Sequence, residues 1–280
     1  GYNGHSVLRT PHLDAIAEEG VTFTRFYAAA PVCSPTRGSC LTGRHPYRYG
    51  ITHANTGHML PEELTLAELL GELGYRTGHF GKWHLGTLTK TERDSNRGGP
   101  KHAAHFAPPW ERGFDVCFST EAKVPTFDPM RDPKSGKAYG TSYWSERGQR
   151  VTDNLAGDDS RVIMDRVVPF VRDCANNERP FLAVVWFHTP HLPLVASAED
   201  REPFKALAEP QQHYFGAVRA MDREIGRLRA ELRTLGIEKD TLLWFASDNG
   251  PEGSARKGIG STGGLRGRKR SLYEGGVRVP

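Results

Sequence analysis

Cys33-Ser34-Pro35-Thr36-Arg37 puts a thiol, two hydroxyls and a guanidinium within five residues, around a proline. Proline suits the first turn of a helix, where its fixed φ helps and its missing N–H is not needed. Residues 36–42 then read as a short helix ended by Gly43. Residue 33 would sit beside the N-terminus of that helix, where free N–H groups and the helix dipole favour an anion. A nucleophile that must ionise, or an anionic substrate group, would be stabilised there, and this reading expects an accessible side chain. The plain alternative is a buried cysteine serving as a small apolar residue.

Three further polar clusters each follow a run of strand character. Gly81-Lys82-Trp83-His84-Leu85-Gly86 follows residues 75–80, His188-Thr189-Pro190-His191 follows 181–187, and Ser247-Asp248-Asn249-Gly250 follows 241–246. In open α/β sheets ligands bind beyond the carboxyl ends of the strands. The three clusters would therefore deliver Lys, His, Asp and Asn to one edge. Each has a bland counterpart. Asp-Asn-Gly is a common turn, because Asn and Gly tolerate positive φ; Lys82 and His84 suit a solvated loop, and His191 a hydrogen-bonded structural ring.

The elements that must position these residues are legible in outline. Thr10 and Pro11 open a helix that Gly20 ends, and 21–27 alternates like a strand. Thr65 and Glu68 form a capping box ahead of Leu69, Leu70 and Leu73. Residues 160–175 and 211–235 read as helices, the first containing Pro169 and the second carrying Val218, Met221, Ile225, Leu228 and Leu232 on one stripe. The apolar runs 181–187 and 241–246 have the pattern of strands buried on both faces. Strands alternating with helices imply an α/β fold with a largely parallel sheet and helices on both faces. Residues 87–150 break this rhythm and read as an irregular, substrate-facing insertion, or as solvated loop.

At 280 residues and 37% hydrophobic content the chain is long enough to bury one large α/β core. The net charge of +4 is modest and suits an anionic substrate; no basic run with interleaved aromatics points to nucleic acid. No apolar stretch is long enough to span a bilayer. The four cysteines show neither a CxxC pair nor zinc-ligand spacing, and leave the redox compartment open.

The Cys33 to Arg37 segment resembles the maturation signature of the sulfatases. The segments at 81–86, around His191, at 248–250, and Gly264-Leu265-Arg266-Gly267-Arg268-Lys269 before Tyr273-Glu274-Gly275-Gly276 are similar to further motifs of that family, in family order. The likeness spans nearly the whole chain and points to the arylsulfatase-like branch of the alkaline phosphatase superfamily. It implies one catalytic domain over 1–280, incomplete at both ends. The family's adjacent aspartate pair, expected upstream of Gly1, and its smaller C-terminal subdomain are both absent. Such a fragment is expected to bind metal poorly and to be inactive by itself.

What the resemblance implies for the site is specific. Cys33 would be oxidised to Cα-formylglycine by a maturation enzyme, and Arg37 would stabilise its hydrate. Asp248, Asn249 and residue 33 would ligate a divalent cation, calcium or else magnesium; oxygen donors suit such hard cations. Lys82 and Lys269 would hold sulfate oxygens, His191 would protonate the leaving alcohol, and His84 would take a proton from the formylglycine hydroxyl. The substrate would be an aryl or carbohydrate sulfate ester, and the location periplasmic, secreted or lysosomal. Two rivals stand beside this reading: a phosphonate or phosphate monoester hydrolase of the same superfamily, and a non-catalytic anion-binding homologue.

Overall fold

The computed structural model describes residues 1–253 and 255–280. In chain order, α1 (Pro11–Glu19), β1 (Phe26–Tyr27), α2 (Cys33–Thr42), α3 (Pro46–Tyr49) and α4 (Leu66–Glu72) lead into β2 (Arg76–Lys82). Next come β3 (Val116–Thr120), β4 (Tyr143–Ser145), α5 (Asp159–Asn176) and β5 (Phe181–Trp186). They are followed by α6 (Ala198–Arg201), α7 (Glu209–Thr234), α8 (Glu274–Val277) and β6 (Arg278–Val279).

Local signals set several of these bounds. The capping box ahead of α4 forms: Thr65 Oγ1 accepts from Glu68 N at 3.2 Å, and the Glu68 carboxylate accepts from Thr65 N at 2.7 Å. α5 starts on Asp158, whose carboxylate accepts from Arg161 N at 3.1 Å. α1 has the expected span but a different cap. Thr10 turns its hydroxyl to Asp14, and the first amides of α1 are instead taken by Asp222 of α7, at 3.2 Å from His12 N and 2.8 Å from Leu13 N. The distant carboxylate satisfies donors that a local cap would otherwise serve.

The main sheet has the order β4-β3-β2-β5, with β2 parallel to both β3 and β5 and β4 antiparallel to β3. Strand alternation divides the core in two. Phe181, Ala183 and Val185 of β5 pack with Phe80, Phe118 and the apolar faces of α5 and α7. Leu182, Val184 and Trp186 pack on the other side with Leu41, Tyr49, Ala67 and Trp83. Helices therefore cover both faces.

Four expectations need revision. Of residues 21–27 only Phe26 and Tyr27 form a strand, paired with β6, because only there does a partner lie alongside. The stretch 87–150 supplies β3 and β4, so it builds the sheet as well as loops. β5 is only partly buried along its length, since β2 flanks one edge and no described strand pairs with the other. Residues 241–246 join no ladder, leaving Leu242 88% and Trp244 55% exposed. An apolar run becomes a doubly buried strand only when neighbours cover both its edges and faces.

Candidate active site

α2 begins at Cys33, and β2 ends at Lys82, two residues before His84. Gly81 makes that strand end possible: its φ is +101°, and a Cβ there would collide with the carbonyl of Trp186 on β5. The backbone can thus turn outward with β2 and β5 still paired. His84 follows with φ +61° and comes to rest with Nδ1 3.3 Å from Cys33 Sγ. Cys33 is only 3% exposed, so the expectation of an accessible thiol is corrected: the helix start is roofed by its neighbours.

Arg37 lies one turn along α2. Its Nε and Nη2 donate to Asp248 Oδ2 at 3.1 and 2.7 Å, and Nη1 donates to the Lys82 carbonyl at 2.8 Å. The guanidinium also sits 4.8 Å from the centre of the Trp186 ring. One side chain therefore ties α2, the end of β2 and the Asp-Asn-Gly turn together. Cys33, Arg37, Lys82, His84 and Asp248 are brought into one continuous group.

The remaining two bases join through a residue that the sequence reading missed. Glu252 Oε2 accepts from His191 Nε2 at 2.9 Å and from Lys269 Nζ at 3.0 Å. Glu252 lies just past Asp248-Asn249-Gly250-Pro251, a lone acid facing a basic run, and that contrast was its only signal. Asn55 was missed as well. Its Oδ1 lies 2.9 Å from His84 Nε2 and accepts from Asn96 at 3.2 Å; no motif marks it. Because that oxygen can only accept, the His84 proton sits on Nε2, and Nδ1 faces Cys33 as an acceptor.

Electrostatics follow from burial and crowding. Burial, then Lys82 and Arg37, hold His84 well below the usual imidazole range, so the ring is neutral. Burial also lowers Lys82, with Cys33 and Asp248 opposing. Asp248 is desolvated, which would raise it, yet Arg37, Lys82 and Lys269 hold it below the usual carboxylate range. Glu252 is held well below that range, first by its hydrogen bond to His191. The site is a cationic cradle with two ionised carboxylates in its wall.

Oxygen donors for a hard cation are present in part. Asn249 Oδ1 is buried without a hydrogen-bond partner, and Asp248 presents its carboxylate beside it in the chain. An orphaned amide oxygen beside an ionised carboxylate fits a divalent cation. Among the described residues no group of three or more His, Cys, Asp or Glu is arranged to hold a metal, so these donors form at most part of a shell.

Comparison with known proteins gives the family and the fold. The sulfatase family model matches residues 1–280. Mouse steryl-sulfatase is 32% identical over 364 aligned residues, covering 100% of this chain and 54% of the relative. Mouse arylsulfatase G is also 32% identical, with 100% and 56% covered. Among solved structures, Ps i-CgsB superposes with a TM-score of 0.82 at 29% identity, over 100% of this chain and 61% of that one; it is also known in complex with k-i-k-neocarrahexaose. The chain belongs to the sulfatase family and has its alkaline phosphatase-like α/β fold. It spans about half the length of the curated relatives it matches.

Proposed function

We propose that the protein containing this chain hydrolyses sulfate esters, with residue 33 as the precursor of the nucleophile. The observation that carries this reading is Cys33 at the first position of α2, facing the unprotonated Nδ1 of His84 and flanked by Arg37 and Lys82. Oxidised to formylglycine, residue 33 would supply a hydrated aldehyde whose hydroxyl attacks sulfur. Burial of Cys33 implies that the maturation enzyme acts before the chain folds.

The chain's own residues divide the remaining work. His84 Nδ1 takes a proton from the group at position 33. Lys82 and Lys269 neutralise the non-bridging sulfate oxygens, where low solvation makes each charge count for more. His191 gives a proton to the departing alcohol. Asp248 and Asn249 would hold a divalent cation, calcium by preference for oxygen donors, which would lower the pKa of a coordinated hydroxyl. Arg37 keeps Asp248 ionised and fixes its carboxylate. The carbohydrate-bound relative favours a sulfated glycan as substrate, and the expected setting is periplasmic, secreted or lysosomal.

The test uses the whole protein made together with a formylglycine-generating enzyme. The peptide containing residue 33 should lose sulfur and gain an aldehyde by mass spectrometry, and Cys33→Ala should abolish turnover of an aryl sulfate. Equal turnover by the two proteins would remove the nucleophile assignment. Faster hydrolysis of the matching aryl phosphate would move the protein to the phosphorus-ester class.

A further inference from the structure

Glu252 gathers three cationic side chains at one carboxylate. Oε2 accepts from His191 Nε2 at 2.9 Å and Lys269 Nζ at 3.0 Å, and Oε1 accepts from Arg270 Nη2 at 2.8 Å. The second ring nitrogen of His191, Nδ1, lies 2.7 Å from the backbone oxygen of Leu192. A carbonyl oxygen has no proton to offer, and a carboxylate clasped by Lys and Arg is ionised. Each nitrogen of His191 therefore needs its own hydrogen. The geometry describes an imidazolium.

The surroundings otherwise oppose that charge. Burial above all, with Lys82 and Lys269 adding, holds the ring below the usual imidazole range, while the hydrogen bonds to Glu252 and Leu192 pull the other way; His84 lies in electrostatic range and is neutral. Glu252 is the counter-charge in direct contact, and Arg270, 66% exposed, completes its shell from the solvent side.

We propose that Glu252 is a positioning residue that favours the doubly protonated form of His191 and aligns Lys269 beside it. This rests on the sulfate-ester reading above. As the bond between sulfur and the alcohol oxygen breaks, its electron pair stays on that oxygen, which takes the Nε2 proton as that N–H gives up its hydrogen bond to Glu252; the sulfuryl group passes to the nucleophile at residue 33. His191 is left neutral, with a lone pair facing a carboxylate. That repulsion favours return of a proton from water and resets the site.

The experiment uses the whole matured protein and two sulfate esters, one with an alkyl or sugar leaving group and one with a nitrophenyl group. Glu252→Gln keeps the shape and an acceptor oxygen but removes the charge, whereas Glu252→Asp keeps the charge. For Glu252→Gln, kcat/KM should fall about 10²-fold on the poor leaving group and several-fold less on the nitrophenyl ester, which needs little protonation. The basic limb of the pH–rate profile should move to lower pH, and Glu252→Asp should recover most of the loss. Equal losses on both esters with an unmoved pH limb would overturn the proposal.

Histidine-selective ¹⁵N NMR gives a readout independent of turnover. The wild-type His191 ring should take up its second proton at a higher pH than the same ring in Glu252→Gln, with Glu252→Asp close to the wild type. The same His191 titration in wild type and Glu252→Gln would overturn the inference. If the wild type hydrolysed neither ester, the sulfate-ester reading would fall, and this measurement alone would decide the role of Glu252.

Discussion

Three consecutive bases near the C-terminal end of the chain do three different jobs. Lys269 is 4% exposed and bonded to Glu252 within the cradle, whereas Arg270 is 66% exposed and reaches Glu252 from solvent. Arg268 holds the backbone carbonyls of Gly260, Glu252 and Ile259 at 3.0, 3.2 and 2.7 Å, so it braces the loop that carries Glu252. Lys269→Ala should depress kcat/KM about 10²-fold or more, the scale of removing one preorganised charge from a transition state. Arg270→Ala should cost less than about 1 kcal/mol, because a solvated ion pair contributes little. Arg268→Ala should lower the denaturation midpoint more than either neighbour, since three partly buried acceptors lose their donor. Equal small effects of all three on turnover and stability would make the run a generic basic surface.

At the scale of elements, α5 shows how a cap and a buried charge compete. Asp158 caps the helix through one oxygen, while its other oxygen is buried without a partner. Burial, with Asp159 and Asp200 adding, raises its carboxyl to about 7. A raised acid contributes stability that is full below the ordinary carboxylate range and is lost as pH rises through about 7. Between about pH 6 and 8 the wild type should therefore lose stability on the order of 1 kcal/mol from this group. Asp158→Asn caps equally well and carries no charge, so urea midpoints of the variant should be flatter over that interval. Parallel pH dependence of the two proteins would show that Asp158 does not titrate there.

Across the whole molecule, one uncovered apolar stretch is residues 241–246, where Leu242 stands 88% exposed. Phe23, Phe26 and Trp244 form an aromatic cluster with centroids 5.5 to 6.1 Å apart. Exposed apolar patches of this kind seek cover. Expressed by itself, the 280-residue chain should self-associate and bind an apolar dye, and Leu242→Lys combined with Trp244→Lys should reduce both. Light scattering that is low and unchanged by the pair would mean the patch is harmless. Among the described residues no helix is long and apolar enough to cross a membrane.

Residue types and order sufficed for much of this. The short helix ended by Gly43, the capping box at Thr65 and the stripe of α7 each rest on local rules of spacing, and those rules act through neighbours within a few residues. Tertiary structure decided the rest. Asp222 capping α1, Arg37 joining Asp248, and Glu252 bridging His191 to Lys269 are contacts between segments that local pattern does not link. Likewise, 241–246 has the composition of a buried strand, but composition records only affinity for an apolar setting. Whether a ladder forms depends on which backbone lies alongside, and that is settled only when the chain packs.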